Sequence, residues 1–175
     1  MACGARPAGD LGPFVERLQA AGWEPCVIAT PSALRFMDAE RLAALTGHIV
    51  RYDYKRPDEP DVLPPPDAMV VAPATFNTVN KWAGGISDTL ALGLLNEAIG
   101  LELPVIAVPF TSSALARHPA FRESIKKLET YGVRLLLDPE RHPLPMVNMG
   151  PPSAKLFPWD ALIHELEQVR AHLAE

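Results

Sequence analysis

The sequence predicts an α/β protein whose parallel sheet carries helices on both faces. Three observations lead there. Short, wholly apolar runs alternate with segments of helical period along the 175 residues. Proline, glycine and hydroxyl residues bound those runs, as they bound strands. The 19 prolines are also unevenly placed: ten lie between Pro7 and Pro73, nine from Pro104 onward, and residues 74 to 103 contain none. A block that excludes proline holds hydrogen-bonded structure that proline would break.

Taken in order, Leu11, Phe14, Val15, Leu18 and Ala21 form one face of a helix over 10 to 21, with Gly22 as its stop. Cys26 to Thr30 reads as a buried strand, broken by Pro31 and Ser32. Asp38 is placed to cap a helix over 39 to 46, ended by Gly47. His48 to Tyr52 is a weaker strand candidate. Residues 55 to 67 hold five prolines and alternating charge, a loop. Ala68 to Ala72 is a buried strand. Thr75 is placed to cap a helix over 76 to 83. Asp88 is placed to cap another over 89 to 99, with Leu90, Leu94, Leu95 and Ala98 inward and Gly100 as its stop. Val105 to Val108 is a strand between prolines. His118-Pro119 opens a helix over 119 to 131, proline being suited to a first turn. Val133 to Leu137 is a further strand, 138 to 158 a proline-rich loop, and 159 to 174 a last amphipathic helix. No internal repeat or linker divides the chain, so 1 to 175 reads as a single domain.

One element is short. The first helix should follow a first strand, for which only Met1, Ala2 and Cys3 remain, against about five or six residues in a typical strand. The expectation is a truncated first strand, through loss of N-terminal sequence.

Composition narrows the function. Net charge is −5 with no basic run, which argues against nucleic acid as a partner. No apolar stretch approaches the roughly 20 residues of a membrane span, and no secretory signal is visible. Two cysteines, Cys3 and Cys26, build no disulfide framework or zinc motif. A reducing cytoplasm is the expected compartment.

The most informative segment is 73 to 90, PATFNTVNKWAGGISDTL. A buried strand ends at Pro73-Ala74, and the chain turns into a helix whose first turn carries Thr75, Asn77 and Thr78. Hydroxyls, an amide and free backbone N–H groups there suit an anion or a polar ring edge. Simple capping by Thr75 and Asp88 explains the same residues, and composition leaves both readings open. In doubly wound sheets ligands sit beyond the carboxyl ends of the strands, at the switch point. That places residues 3 to 9, 30 to 32 and 73 to 78 together.

Residues 73 to 90 resemble, without a gap, the signature P-A-[ST]-A-N-T-x-x-K-x-A-x-G-[IL]-x-D-x-L of the homo-oligomeric flavin-containing cysteine decarboxylases. Phe76 is the one departure, standing where the family has a small residue. The resemblance implies a flavodoxin-like, Rossmann-type fold and bound FMN at a subunit interface of a trimer or dodecamer. It implies that Thr75, Phe76, Asn77 and Thr78 line the flavin. Gly4, Ala5 and Arg6 fall on the phosphate loop, Thr30 and Ser32 on a second flavin-contacting turn, and Phe110 on the flavin side after the next strand. A small thiol or a cysteine-ending peptide would be the substrate.

The chain also departs from that pattern. The family histidine falls on Glu59, a carboxylate in a charged loop, where a solvated charge is the competing reading. The family motif P-x-M-N-x-x-M-W falls on Pro109 to Ala116, keeping Pro109 and placing Ser112 where asparagine is expected. A late flap cysteine has no counterpart in 138 to 158. Glu59 and Ser112 are thus the candidate catalytic residues. Trp82 and Phe76 are candidates to stack near the flavin, and His118 reads as a helix cap. The expectation is an FMN-binding flavoprotein with altered redox or decarboxylation chemistry. The alternatives are a true cysteine decarboxylase using Glu59, and a non-catalytic homo-oligomeric subunit.

Overall fold

The computed structural model describes residues 1–60, 62–138 and 140–173. Asp61 and Pro139, inside the two predicted loops, and Ala174, at the end of the predicted last helix, lie outside them. The sheet has three parallel strands in the order β1 (Met69–Ala74), β2 (Val105–Pro109) and β3 (Arg134–Leu135). Met69 pairs with Val105 and Val71 with Ala107, and Ile106 pairs with Arg134.

Three shorter extended segments continue this sheet beyond β1. Ala72 N–H donates to Met1 O at 2.9 Å and Cys3 N–H to Pro73 O at 3.1 Å. Ala2 forms a parallel bridge with Ala29, and Ile28 one with Arg51. In chain order the six strand positions therefore lie 3-2-1-4-5-6, the doubly wound order whose switch point falls between the first and fourth.

Side chains alternate across the sheet and build a core on each face. Ala72, Ile106 and Val108 pack with Leu11, Phe14, Val15 and Leu18 of α1 (Leu11–Ala20) and with Leu162 and Leu166 of the C-terminal helix. Val71, Val105 and Ala107 pack on the other face with Val79, Trp82, Leu95, Phe121 and Leu128. The helices along the chain are α2 (Ala39–Thr46), α3 (Phe76–Ala83), α4 (Leu90–Gly100), α5 (Ser113–Ala116), α6 (Pro119–Thr130) and α7 (Trp159–Leu173). An Arg17–Asp160 ion pair of 2.8 Å, and Arg170 lying 4.4 Å over the Trp23 ring, fix α7 against the end of α1.

The predicted α/β class holds, with local corrections. The apolar run 26 to 30 is reduced to two isolated bridges, at Ile28 and Ala29, and the segment 48 to 52 to one, at Arg51. The strand predicted at 133 to 137 shortens to two residues. Thr89 caps α4, its hydroxyl accepting from Leu92 N–H at 3.3 Å, while Asp88 is drawn away by an ion pair with Lys81. Gly100 ends inside α4, and Glu102, with φ 56°, makes the turn after it. Short helical turns at Arg6–Asp10, Ala33–Arg35 and Pro151–Leu156, and all of α5, have no counterpart in the sequence reading. Among the described residues no helix is long and apolar enough to cross a membrane.

Candidate functional site

The carboxyl edge of the sheet gathers the three segments expected there. Gly4 follows the first strand position and lies so close to the second that a Cβ on it would meet Ser32 Cβ at 2.8 Å. Thr30 N–H donates to Ala2 O at 2.9 Å, holding the same two strand ends in register. Phe110 N–H donates to Ala74 O at 2.8 Å and ties the end of β2 to that of β1.

The start of α3 stands at the centre of this edge. Thr75 is its cap: its hydroxyl accepts from Thr78 N–H at 3.5 Å and lies 3.1 Å from the Thr78 hydroxyl. Thr78 is buried. The Cys3 thiol lies beneath both threonines. Burial pushes its pKa up, and hydrogen bonding to Thr78 and Thr75 opposes that rise only in part. Sequence reasoning missed Cys3 because its place depends on a tertiary approach.

Asn77 is exposed, and its side-chain amide has no partner among the described residues. The N–H groups of Phe76 and Asn77, in the first turn, have no intrahelical acceptor. Arg6 opens the turn Arg6–Asp10, exposed and without an ion pair among the described residues. Ser32 is also exposed, whereas Thr30 is buried. These donors suit a ligand that joins a phosphate to a polar ring edge. Ala5 N–H is spent on Cys3 O at 2.8 Å.

The aromatic candidates have their own packing partners. Phe76 stacks on Phe121, centroids 5.8 Å apart at 12°, and meets the His118 ring edge-on at 5.7 Å. Trp82 is fully buried in the core, so it is no candidate for stacking on a ligand. Phe110 is buried against Phe157. His118 caps α6, its Nδ1 accepting from Ala120 N–H at 3.1 Å. Sequence reading had anticipated that cap.

The two catalytic candidates each make a local hydrogen bond. Glu59 is exposed, and its hydrogen bonds close a turn on Arg56: the carboxylate accepts from Arg56 N–H at 3.1 Å. Ser112 caps α5, accepting from Leu115 N–H at 3.3 Å. The neighbouring Ser113 N–H donates to Pro145 O at 2.8 Å, which ties the proline-rich loop 138 to 158 to this corner.

The rear half of the 73 to 90 segment is structural. Lys81 pairs with Asp88. Gly85 turns at φ 69°, and Ile86 N–H donates to Lys81 O at 2.9 Å. Asn96 of α4 holds the same turn through Ile86 O at 3.1 Å and the Ser87 hydroxyl at 2.8 Å.

An open parallel sheet with a polar helix start at its switch point defines the doubly wound α/β class of protein. The Flavoprotein family model matches residues 3–171, and the chain belongs to that family. It is similar to the coenzyme A biosynthesis bifunctional protein CoaBC of Bacillus subtilis, 33% identical over 121 residues, which are 66% of this chain and 29% of the relative. CoaBC of Mycolicibacterium smegmatis is 29% identical over 78% of this chain and 33% of its own length. The chain thus spans about a third of these curated relatives.

Among solved structures, the FMN-dependent cysteine decarboxylase TvaF from thioviridamide biosynthesis superposes with a TM-score of 0.67 at 27% identity, over 80% of this chain and 88% of that one. The epidermin biosynthesis protein EpiD from Staphylococcus aureus gives 0.63 at 26%, over 77% and 78%. HAL3 from Cryptococcus neoformans gives 0.67 at 20% over 98% and 94%, a likeness of fold. The fold is flavodoxin-like, as expected.

Proposed function

We propose that this chain binds the FMN moiety of a flavin at the carboxyl edge of its sheet and carries out flavin-dependent, decarboxylase-like chemistry in altered form. The observation that carries the reading is the free start of α3. At the sheet edge that also carries Gly4 and Ser32, the Phe76 and Asn77 N–H groups and the exposed Asn77 amide have no hydrogen-bond partner among the described residues. In this reading Gly4, Arg6, Thr30 and Ser32 take the phosphate side, and Thr75, Asn77 and Thr78 hold the ring side. A bound flavin supplies a two-electron acceptor; the chain's own groups bind and orient it. Similarity to the FMN-dependent cysteine decarboxylase TvaF supports the cofactor and the reaction class.

The altered chemistry follows from what the catalytic candidates do. Glu59 is engaged with its own turn at the surface, and the Ser112 oxygen caps a helix. By the same reading the chain forms a homo-oligomer and works in the cytoplasm on a small thiol or a peptide.

Purified protein is expected to show flavin absorption bands and to release a flavin on denaturation. Colourless protein that takes up no added flavin contradicts the reading. Peptides ending in cysteine, followed by mass spectrometry for oxidative loss of carbon dioxide, test the reaction. Glu59→Gln is expected to leave flavin affinity and any turnover unchanged; loss of turnover with flavin retained would restore Glu59 as the base.

A further inference from the structure

We propose that Cys3 is a positioning residue for the flavin site: from beneath α3 it holds the Thr75 and Thr78 hydroxyls, and so sets the place of the Asn77 amide and the free N–H groups beside them. The inference rests on the flavin reading and deepens it, by naming the group that orders the ring side.

Strand and helix meet at this sulfur. Cys3 N–H donates to Pro73 O at 3.1 Å, and its carbonyl accepts from Ala5 N–H at 2.8 Å. Both main-chain groups are spent, so the residue is fixed between β1 and the turn into Arg6. Its side chain is 1% exposed, in the buried cluster that also holds Ala74 and Val79. Those two residues flank the stretch from Thr75 to Thr78 in sequence.

The hydroxyls above Cys3 need partners. Thr78 is 4% exposed, so its hydroxyl has little access to water. The Thr75 and Thr78 oxygens lie 3.1 Å apart, and the Thr75 oxygen also accepts from Thr78 N–H. One hydroxyl proton serves the contact between the two side chains. The other needs an acceptor, which the Cys3 sulfur, hydrogen-bonded to both threonines, supplies. Burial keeps the thiol protonated, so it acts as a neutral hydrogen-bonding group and not as a thiolate.

This arrangement separates the polar groups at the start of α3. The two hydroxyls are satisfied from below, while the Phe76 and Asn77 N–H groups and the Asn77 amide have no partner among the described residues. An apolar side chain at position 3 leaves a buried hydroxyl unpaired, and the first turn of α3 must shift to satisfy it. The ring side is then displaced by a change that touches no ligand.

The test compares Cys3→Ser with Cys3→Ala. Both lose the volume of the sulfur alike, and only serine keeps a group that bonds the threonines. Each folded, flavin-free variant is titrated with FMN and with riboflavin, followed by flavin fluorescence, with a thermal melt beside it. Cys3→Ser is expected to bind both flavins within about twofold of wild type. Cys3→Ala is expected to lose about tenfold for FMN and for riboflavin alike, because the ring side is common to both. Equal affinity in the two variants overturns the inference, since a role in packing alone changes both equally. A loss for FMN with riboflavin unchanged also overturns it, because the effect then lies on the phosphate side. If Cys3→Ala misfolds, wild-type protein serves: saturating FMN is expected to slow iodoacetamide labelling of Cys3 about tenfold or more and to leave the half-buried Cys26 unchanged. Equal labelling of Cys3 with and without FMN overturns the inference. Wild-type protein that binds neither flavin overturns the flavin reading, and the inference with it.

Discussion

The two halves of the 73 to 90 segment use similar residues for opposite ends. In the rear half, Lys81, Ser87, Asp88 and Thr89 are spent on the protein itself. Lys81 holds Asp88, Asn96 holds the Gly85 turn, and Thr89 caps α4. In the front half, the Thr75 and Thr78 hydroxyls lie together over Cys3, while the exposed Asn77 amide and the first backbone N–H groups of α3 have no partner among the described residues. A polar motif is therefore not uniformly a binding motif. Its rear half builds the platform and its front half presents the donors.

Three substitutions break or sharpen that contrast. Phe121→Ala has the largest expected effect. Phe121 is buried, and Phe76 stacks on it, so its loss empties the wall behind the front half. The cost should be about 3–5 kcal/mol, read by thermal or denaturant unfolding. A loss near zero would mean that α6 does not support α3. Gly4→Ala comes next. The added methyl collides with Ser32 at 2.8 Å, so two strand ends must part. About 1–3 kcal/mol of stability should go with it, and flavin affinity should fall further than stability alone explains. Unchanged affinity would remove Gly4 from the site. Lys81→Met is the smallest. Its ion pair is partly exposed, so the change should cost less than about 1 kcal/mol and leave flavin binding unaltered. Weakened flavin binding there would erase the distinction between the halves.

How far the sequence reveals this arrangement depends on how local each signal is. β1 and α3 are legible because their cues are adjacent: an apolar run, then a hydroxyl cap, then helical period. The cap of α4 is ambiguous, since Asp88 and Thr89 both suit the position and a residue seven places back decides between them. The apolar run 26 to 30 has a strand's composition, but a ladder needs an equally long neighbour, and its neighbours are short. In the site, Thr75, Asn77 and Thr78 are readable from residue type. The contact of Gly4 with Ser32 and the place of Cys3 beneath α3 are not, because both arise where distant strand ends meet. Trp82 and Phe76 show the same limit: one is fully core and the other is stacked on α6, a difference set by which face each presents.

The most direct test is Asn77→Asp, titrated with FMN against wild-type protein beside a thermal melt of each flavin-free form. An acidic residue in the first turn of α3 favours the helix by about 0.3–1 kcal/mol, so stability should hold or rise slightly. The change exchanges an amide donor for a carboxylate that only accepts, so the ring edge loses a donor and FMN affinity should fall by about tenfold or more. A weakened complex on an equally stable protein is the result this account predicts. Equal FMN affinity in the two proteins would contradict it and leave the start of α3 as a helix cap alone.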